Sequence, residues 1–119
     1  MKYFKLSEFR CKCGKCGDDP PMKDYFLERL ERAREISDVS YVINSGYRCL
    51  SHNKAVGSTS TNHTRGVAAD IKAMDGPTRG KILKGLYRAG FVRCGISFKG
   101  GFIHVDENDG PESCWDYGG

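Results

Sequence analysis

Apolar residues recur at helical spacing in two segments of the chain. Over residues 22–36 they return every three or four positions, with charged residues between them, which predicts a helix with one buried face. The preceding "DDPP" is typical of a helix start, with Asp19 as the capping residue. A second helix is predicted over residues 78–88, where apolar side chains share one side and Gly90 follows as a stop signal.

Short apolar runs bounded by turn residues predict strands around these helices. They lie at residues 41–44, at residues 67–73, and in the closing pair "FVRCGISF" and "GFIHVD", joined by the turn "KGG". Residues 1–19 are predicted as an irregular lead-in and residues 49–66 as a long polar loop. Together these elements predict an α+β fold, a small antiparallel sheet with helices packed on one side.

The composition fits a soluble domain. A chain of 119 residues with 39% hydrophobic and 29% charged residues is long enough to bury a core and too apolar for disorder. We predict a single domain over residues 1–119 and a monomer. The net charge of +4 includes no basic tract, so no nucleic-acid partner is expected.

Targeting signals are not evident in the sequence. No apolar run approaches the ~18 residues that cross a bilayer, so no membrane insertion is expected. Charged residues interrupt "MKYFKLSEFR" throughout, whereas a signal peptide has a continuous apolar core. We therefore expect synthesis in the cytoplasm, with any export provided by another component.

Six cysteines are present, and three of them form the cluster "CKCGKC" (Cys11, Cys13 and Cys16). Such a cluster can hold a structural zinc ion if a distant cysteine supplies the fourth ligand. The paired Cys-x-x-Cys motifs of common zinc modules are not present. Without an export signal the default is reduced thiols, and reduced or disulfide-bonded cysteines are together favoured over a second metal site.

Histidines and aspartates in two predicted strands supply the candidate chemistry. In "FIHVD", His104 and Asp106 are two positions apart and therefore share one face of a strand. Asp70 lies in the neighbouring predicted strand and His63 in the loop before it. Two imidazoles and one carboxylate suit zinc, and three protein ligands leave a fourth position for a reactive water.

These motifs also carry a family resemblance. "SGYR" at residues 45–48, His-x-x-Gly-x-Ala-x-Asp at residues 63–70 and His-x-Asp at residues 104–106 resemble the zinc peptidases that cut D-amino-acid bonds in peptidoglycan. These are the D-Ala-D-Ala carboxypeptidases and phage L-alanyl-D-glutamate endopeptidases, whose metal site hedgehog signalling domains share. The resemblance implies their fold, zinc bound by His63, Asp70 and His104, and Arg48 in contact with the substrate's carboxylate or carbonyl.

One position departs from this family pattern. Many relatives place an acidic residue three positions before the last zinc histidine as general acid/base, and Gly101 occupies that position here. We choose Asp106 as the catalytic carboxylate, with Glu107 and Asp109 behind it. The alternative role for Asp106 is a hydrogen-bond acceptor that orients a zinc histidine, and a combined role is also open.

Three further residues are weaker candidates. His52 is most simply a solvated loop histidine, and Tyr47 beside Arg48 lines the cleft or packs beneath the loop. Trp115 in the tail either stacks on a substrate or holds the tail against the core, and we favour the second role.

The sequence therefore predicts a zinc-dependent peptidase that hydrolyses amide bonds in peptidoglycan stem peptides, acting on the cell wall after phage-mediated release. The alternative from a different class is a non-catalytic, hedgehog-like zinc module that binds wall fragments or a protein partner. A zinc-ribbon nucleic-acid binder is disfavoured, because between Cys11 and Cys16 the only basic residues are Lys12 and Lys15.

Overall fold

The computed structural model describes residues 1–118 and combines three α-helices with a five-stranded sheet. A short 3-10 helix at Leu6–Phe9 precedes them. The helices are α1 (Asp24–Ser37), α2 (Leu50–Ala55) and α3 (Gly76–Arg88). The strands are β1 (Ile43–Ser45), β2 (Ala68–Lys72), β3 (Arg93–Ser97), β4 (Phe102–Asp106) and β5 (Ser113–Asp116).

The sheet has the order β1-β2-β4-β3-β5. Its first four strands pair antiparallel, as predicted, whereas β5 pairs parallel to β3, so the sheet is mixed. The sequence did not predict β5, because this four-residue edge strand alternates only between half-buried and exposed residues. The α+β fold class is confirmed.

The helix boundaries depend on local caps. Helix α3 begins at Gly76, two residues before the predicted start, because the Asp75 side chain accepts a hydrogen bond from the backbone N–H of Thr78 at 2.8 Å. Helix α1 begins after Lys23, so Asp19 does not cap it. Helix α2 lies inside the predicted loop, and its unusual cap is the Cys49 sulfur, which accepts from the N–H of His52.

The main core lies between the sheet and the helices α1 and α3. Phe26 and Leu30 of α1 and Ile82 and Leu86 of α3 are fully buried, and they pack in one cluster with alternate residues of the central strands, namely Ala69, Ile71, Cys94, Ile103 and Val105. Both long helices therefore cover one face of the sheet. Within residues 1–118, none of the helices has the length and apolar character needed to span a bilayer.

The lead-in is anchored to the sheet edge rather than loose. Phe4 and Phe9 are buried in the core, and the carbonyl of Phe9 accepts a hydrogen bond from the backbone N–H of Tyr47 at 2.9 Å. A Cβ at Gly46 would lie 2.7 Å from the Phe9 Cα, so only glycine permits this approach. The lead-in thereby fixes the segment that follows β1.

Candidate metal centre

Strand pairing places the predicted site on the sheet face opposite the helices. Asp70 of β2 lies directly across from His104 of β4, and His104 lies across from Gly95 of β3. Because side chains alternate along a strand, Ala69 and Ile71 face the core while Asp70 faces the other way. The central strands therefore present polar groups on one face without disturbing the core on the other.

His63 reaches the same point from the segment that precedes β2. The turn depends on Gly66, whose φ is +73° and whose added Cβ would collide with the carbonyl of Pro21. The backbone N–H of Arg48 donates to the carbonyl of His63 at 3.3 Å, which ties this turn to the segment after β1. His63, Asp70 and His104 are all buried, and each offers a ligand atom within 4.8 Å of the others.

Hydrogen bonds select which nitrogen of each imidazole faces the cluster. The Nδ1 of His63 lies 2.6 Å from the Gly46 carbonyl, which can only accept, so Nδ1 holds the proton and Nε2 is free for a metal. The Nε2 of His104 lies 2.7 Å from Asp106, so its Nδ1, 2.9 Å from Asp70, is the nitrogen that faces the cluster. Each ring thus has one nitrogen engaged outside the cluster and one aimed into it.

The geometry fits a zinc ion. The Oδ1 of Asp70 lies 3.4 Å from Nε2 of His63 and 2.9 Å from Nδ1 of His104. A tetrahedral zinc with bonds of ~2.0–2.2 Å separates its nitrogen and oxygen ligands by roughly 3.4 Å, so small side-chain adjustments suffice. These three residues would hold zinc and leave one side of the cluster facing the cleft.

The charges of the cluster reinforce one another. Burial alone would raise the pKa of Asp70, but hydrogen bonds from His104 and His63 hold it well below its ordinary range. Burial likewise lowers the pKa of His104, yet the carboxylates of Asp106 and Asp70 outweigh it and raise that pKa to about 9. Asp70 is therefore held as an anion, the form that binds a cation.

Asp106 lies behind His104 and is only 1% exposed. One carboxylate oxygen accepts from Nε of Arg93 at 2.8 Å and from the backbone N–H of Asn108 at 3.1 Å. The other accepts from Nε2 of His104 at 2.7 Å and from Nδ2 of Asn62 at 3.3 Å. These bonds outweigh the effect of burial and lower the pKa of Asp106.

Arg48 lies at the edge of the cluster. Its Nε donates to the hydroxyl of Ser45 at 3.1 Å, and its Nη2 lies 3.4 Å from the second oxygen of Asp70. Its Nη1 contacts Asn53 at 3.4 Å. The guanidinium is thus positioned by several contacts, two of them long, and it faces the same cleft as the candidate ligands.

A cleft of about 340 Å³ opens over the cluster. Its aromatic wall consists of Phe102, Trp115 and Tyr117, and the Trp115 ring lies 5.7 Å from that of His104. Trp115 occupies this place because β5 pairs with β3 beside Gly95, where a Cβ would collide with the indole. From the sequence we favoured a role for Trp115 in holding the tail against the core. Its position on β5 also makes it part of the cleft wall.

Several contributors to the site were not found from the sequence. Arg93 and Asn62 both contact Asp106, and Asn108 donates to Asn62 at 3.0 Å. Arg93 could have been found, since it is two positions before Gly95 on the same strand face. The two asparagines lie outside the regular elements and gave no periodic signal.

The remaining candidates lie away from the cleft. Tyr47 is partly buried against the core, and His52 lies on α2 near the cysteine cluster. Glu107 pairs with Arg29 at 3.5 Å, whereas Asp109 is fully exposed. None of these side chains lines the cleft that contains His63, Asp70 and His104.

Gly101 occupies the position where many relatives have an acidic residue, and the structure shows a local reason for glycine. Its φ is +67°, a conformation that side-chain-bearing residues rarely adopt, and an added Cβ would also require the exposed Met74 side chain to move. Its carbonyl also accepts from the N–H of Ala73 at 2.7 Å. The turn between β3 and β4 thus favours glycine over any carboxylate.

Comparison with known proteins agrees with the geometry. No curated protein matches the chain. The model of the family described as Peptidase M15 matches residues 2–106, a range that contains all three candidate ligands. Peptidases of this family depend on zinc, and they include D-Ala-D-Ala carboxypeptidases and phage endopeptidases. The chain therefore belongs to the Peptidase M15 family of zinc metallopeptidases.

Proposed function

We propose that this zinc peptidase hydrolyses amide bonds in peptidoglycan stem peptides. The observation behind the proposal is the convergence of His63, Asp70 and His104 within 4.8 Å of one another, on the floor of a cleft that Arg48 also lines. Stem peptides offer amide carbonyls and free carboxylates, which are the groups that such a floor and a guanidinium recognise.

His63, Asp70 and His104 would hold the zinc ion. When bound there, zinc would polarise the scissile carbonyl and make water nucleophilic near neutral pH. The Gly46 carbonyl and Asp106 keep the two imidazoles in the tautomers that leave the inward nitrogens free. The chain itself thereby sets the ligand geometry before a cation arrives.

We assign Arg48 to substrate binding. Within the protein, its Nη1 and Nη2 make only long contacts of 3.4 Å, which are weaker than ideal hydrogen bonds. A substrate carboxylate or carbonyl in the cleft would offer shorter, charge-assisted bonds to the same guanidinium. Ser45 holds the Nε edge at 3.1 Å, so the outer edge is the one left for substrate.

Asp106 is proposed to act mainly by orienting His104. It accepts hydrogen bonds from four groups and is 1% exposed, so its carboxylate is better placed to hold the His104 imidazole than to meet solvent in the cleft. A direct catalytic role for Asp106 is the other possibility that the sequence left open. Asp70 and Asp106 are the acidic residues that line the cleft, so proton transfer to a carboxylate involves one of them.

The aromatic wall is proposed to position the peptide. Trp115 and Tyr117 pack at 6.4 Å between ring centroids, and Tyr117 contacts Phe102 at 5.5 Å. Such faces bind the apolar parts of short side chains such as alanine and exclude water from the reacting carbonyl. The basic character of the protein, with a net charge of +4, also favours the anionic cell wall.

The experiment is digestion of purified peptidoglycan by the zinc-loaded protein, followed by mass spectrometry of the fragments and labelling of new amines. We expect new amino groups with the wild type and none with Asp70→Ala. Asp109→Asn serves as the matched control, because its carboxylate is exposed and outside the cleft. The fragment masses identify the bond that is cut and separate endopeptidase from carboxypeptidase action.

A second candidate function is a non-catalytic zinc module that binds wall fragments. Gly101 favours it, since glycine replaces the usual acidic residue at a position whose φ of +67° most other residues rarely adopt. Binding of muropeptides without any release of amines would support this function over hydrolysis. A role in phage lysis, with the wall reached after phage-mediated release, is the biological setting we propose for the peptidase.

A further inference from the structure

Four cysteines converge at a point outside the cleft. Cys11, Cys13 and Cys16 of the lead-in meet Cys49, the residue that caps α2, and their sulfur atoms all lie within 4.8 Å of one another. We propose that these four thiolates bind a second, structural zinc ion. The proposal goes beyond the peptidase activity and does not depend on it.

The sulfur separations match a tetrahedral zinc site. The Sγ atoms of Cys11 and Cys49 are 3.7 Å apart, and those of Cys13 and Cys16 are 3.3 Å apart. Four sulfurs around zinc at ~2.3 Å are separated by roughly 3.8 Å. Cys13 and Cys16 also have the Cys-x-x-Cys spacing of a zinc knuckle, with Gly14 and Gly17 at φ values of +77° and +76° in its turns.

Backbone N–H groups already point at these sulfur atoms. The N–H of Lys15 donates to Cys13 at 3.3 Å, that of Cys49 to Cys11 at 3.3 Å, and that of His52 to Cys49 at 3.4 Å. N–H donors stabilise thiolates over thiols, because the negative sulfur is the better acceptor. Three of the four sulfur atoms thus have a backbone donor within reach.

The competing arrangement is two disulfide bonds, Cys11–Cys49 and Cys13–Cys16. A disulfide requires sulfurs ~2.05 Å apart, and each pair is more than an ångström longer than this. Two separate disulfide bonds would also not require the two pairs to lie next to each other, whereas all four sulfur atoms lie within 4.8 Å of one another. Cys94 is buried in the core and Cys114 is exposed on β5, and neither joins the cluster.

The location explains what such an ion would stabilise. Cys49 directly follows Arg48, and Gly46 in the same segment accepts from His63 at 2.6 Å. The lead-in already contacts this segment through Phe9 and Tyr47. A tetrathiolate zinc would fasten the two pieces of chain together and thereby hold Arg48 and the acceptor of His63 in place.

The test is zinc content per chain, measured by elemental analysis on protein purified with reductant. We expect two zinc equivalents in the wild type and one in the double variant His63→Ala/Asp70→Ala, which retains every cysteine. X-ray absorption on that variant should show four sulfur neighbours at ~2.3 Å. Cys13→Ser/Cys16→Ser should lose one equivalent, whereas the control Cys114→Ser should keep two.

Two results would overturn the proposal. One is a wild type with a single zinc ion that disappears completely in the double variant. The other is a mass two hydrogens lower for each bridged pair in protein purified without reductant, with no sulfur around zinc in the X-ray absorption spectrum. Because the decisive measurement uses a variant with intact cysteines, misfolding of the serine variant does not affect it. Failure to cleave peptidoglycan, by contrast, would leave both zinc counts unchanged.

Discussion

Replacing Asp106 by asparagine separates its two candidate roles with almost no change in size. An asparagine has one acceptor oxygen and one NH₂ donor, whereas the carboxylate accepts from four groups. If the asparagine oxygen faces Arg93, its NH₂ group points at Nε2 of His104 and favours the tautomer with the proton on Nδ1. If the oxygen faces His104 instead, the hydrogen bond at 2.7 Å is no longer to a charged acceptor, and the NH₂ group points at Arg93.

The expected result is weaker zinc binding. Loss of an acceptor that orients a metal-binding histidine reduces metal affinity by about 10- to 100-fold, which corresponds to about 1.4–2.7 kcal/mol. The partly buried Arg93 also loses the charge of its partner at 2.8 Å, so the free energy of unfolding should fall by about 1–3 kcal/mol. Turnover at saturating zinc should recover in large part.

The assay is competition for zinc against a chelator of known affinity, together with turnover measured as a function of pH at saturating zinc. Asp109→Asn removes an exposed carboxylate from the same segment and should match the wild type in both measurements. An Asp106→Asn protein that binds zinc as tightly as the wild type, yet shows no turnover and loses the acidic limb of the pH profile, would refute the orienting role. That outcome would assign proton transfer to Asp106.

Further predictions concern stability and the cleft. Gly80→Ala should stabilise the protein by about 0.5–1 kcal/mol, because an added Cβ meets nothing in this exposed helical position. Gly85→Ala in the same helix should destabilise the protein by about 1–3 kcal/mol, because the Cβ would collide with α1. Denaturant unfolding should show that the free energy of unfolding rises in the first variant and falls in the second. Burial raises the pKa of Tyr41 from 10.0 to about 12, so its stabilising effect is complete below pH 10 and is lost as the pH rises to 12; Tyr41→Phe should flatten this part of the stability–pH curve. Gly95→Ala should displace Trp115, the sole tryptophan, changing its fluorescence and lowering turnover while zinc content stays constant.

Much of the fold followed from local patterns. The long helices and central strands were predicted within about two residues, because their apolar faces repeat with the period of the element that buries them. β5 and α2 were missed since neither buries a continuous apolar face. Leu50 at the start of α2 is 78% exposed, and β5 owes its place to pairing with β3 rather than to its own pattern.

Sequence motifs predicted the ligand types: Asp70 and His104 at alternating strand positions and His63 in the loop before β2. Packing of the whole chain set what local spacing does not encode. It selected Nε2 of His63 and Nδ1 of His104 as the inward nitrogens, surrounded Asp106 with four donors, and brought Cys49 to three cysteines over thirty residues away. The reason is physical: alternation along a strand fixes which face a side chain takes, whereas hydrogen-bond partners depend on strand register and loop approach, which only the packed chain defines.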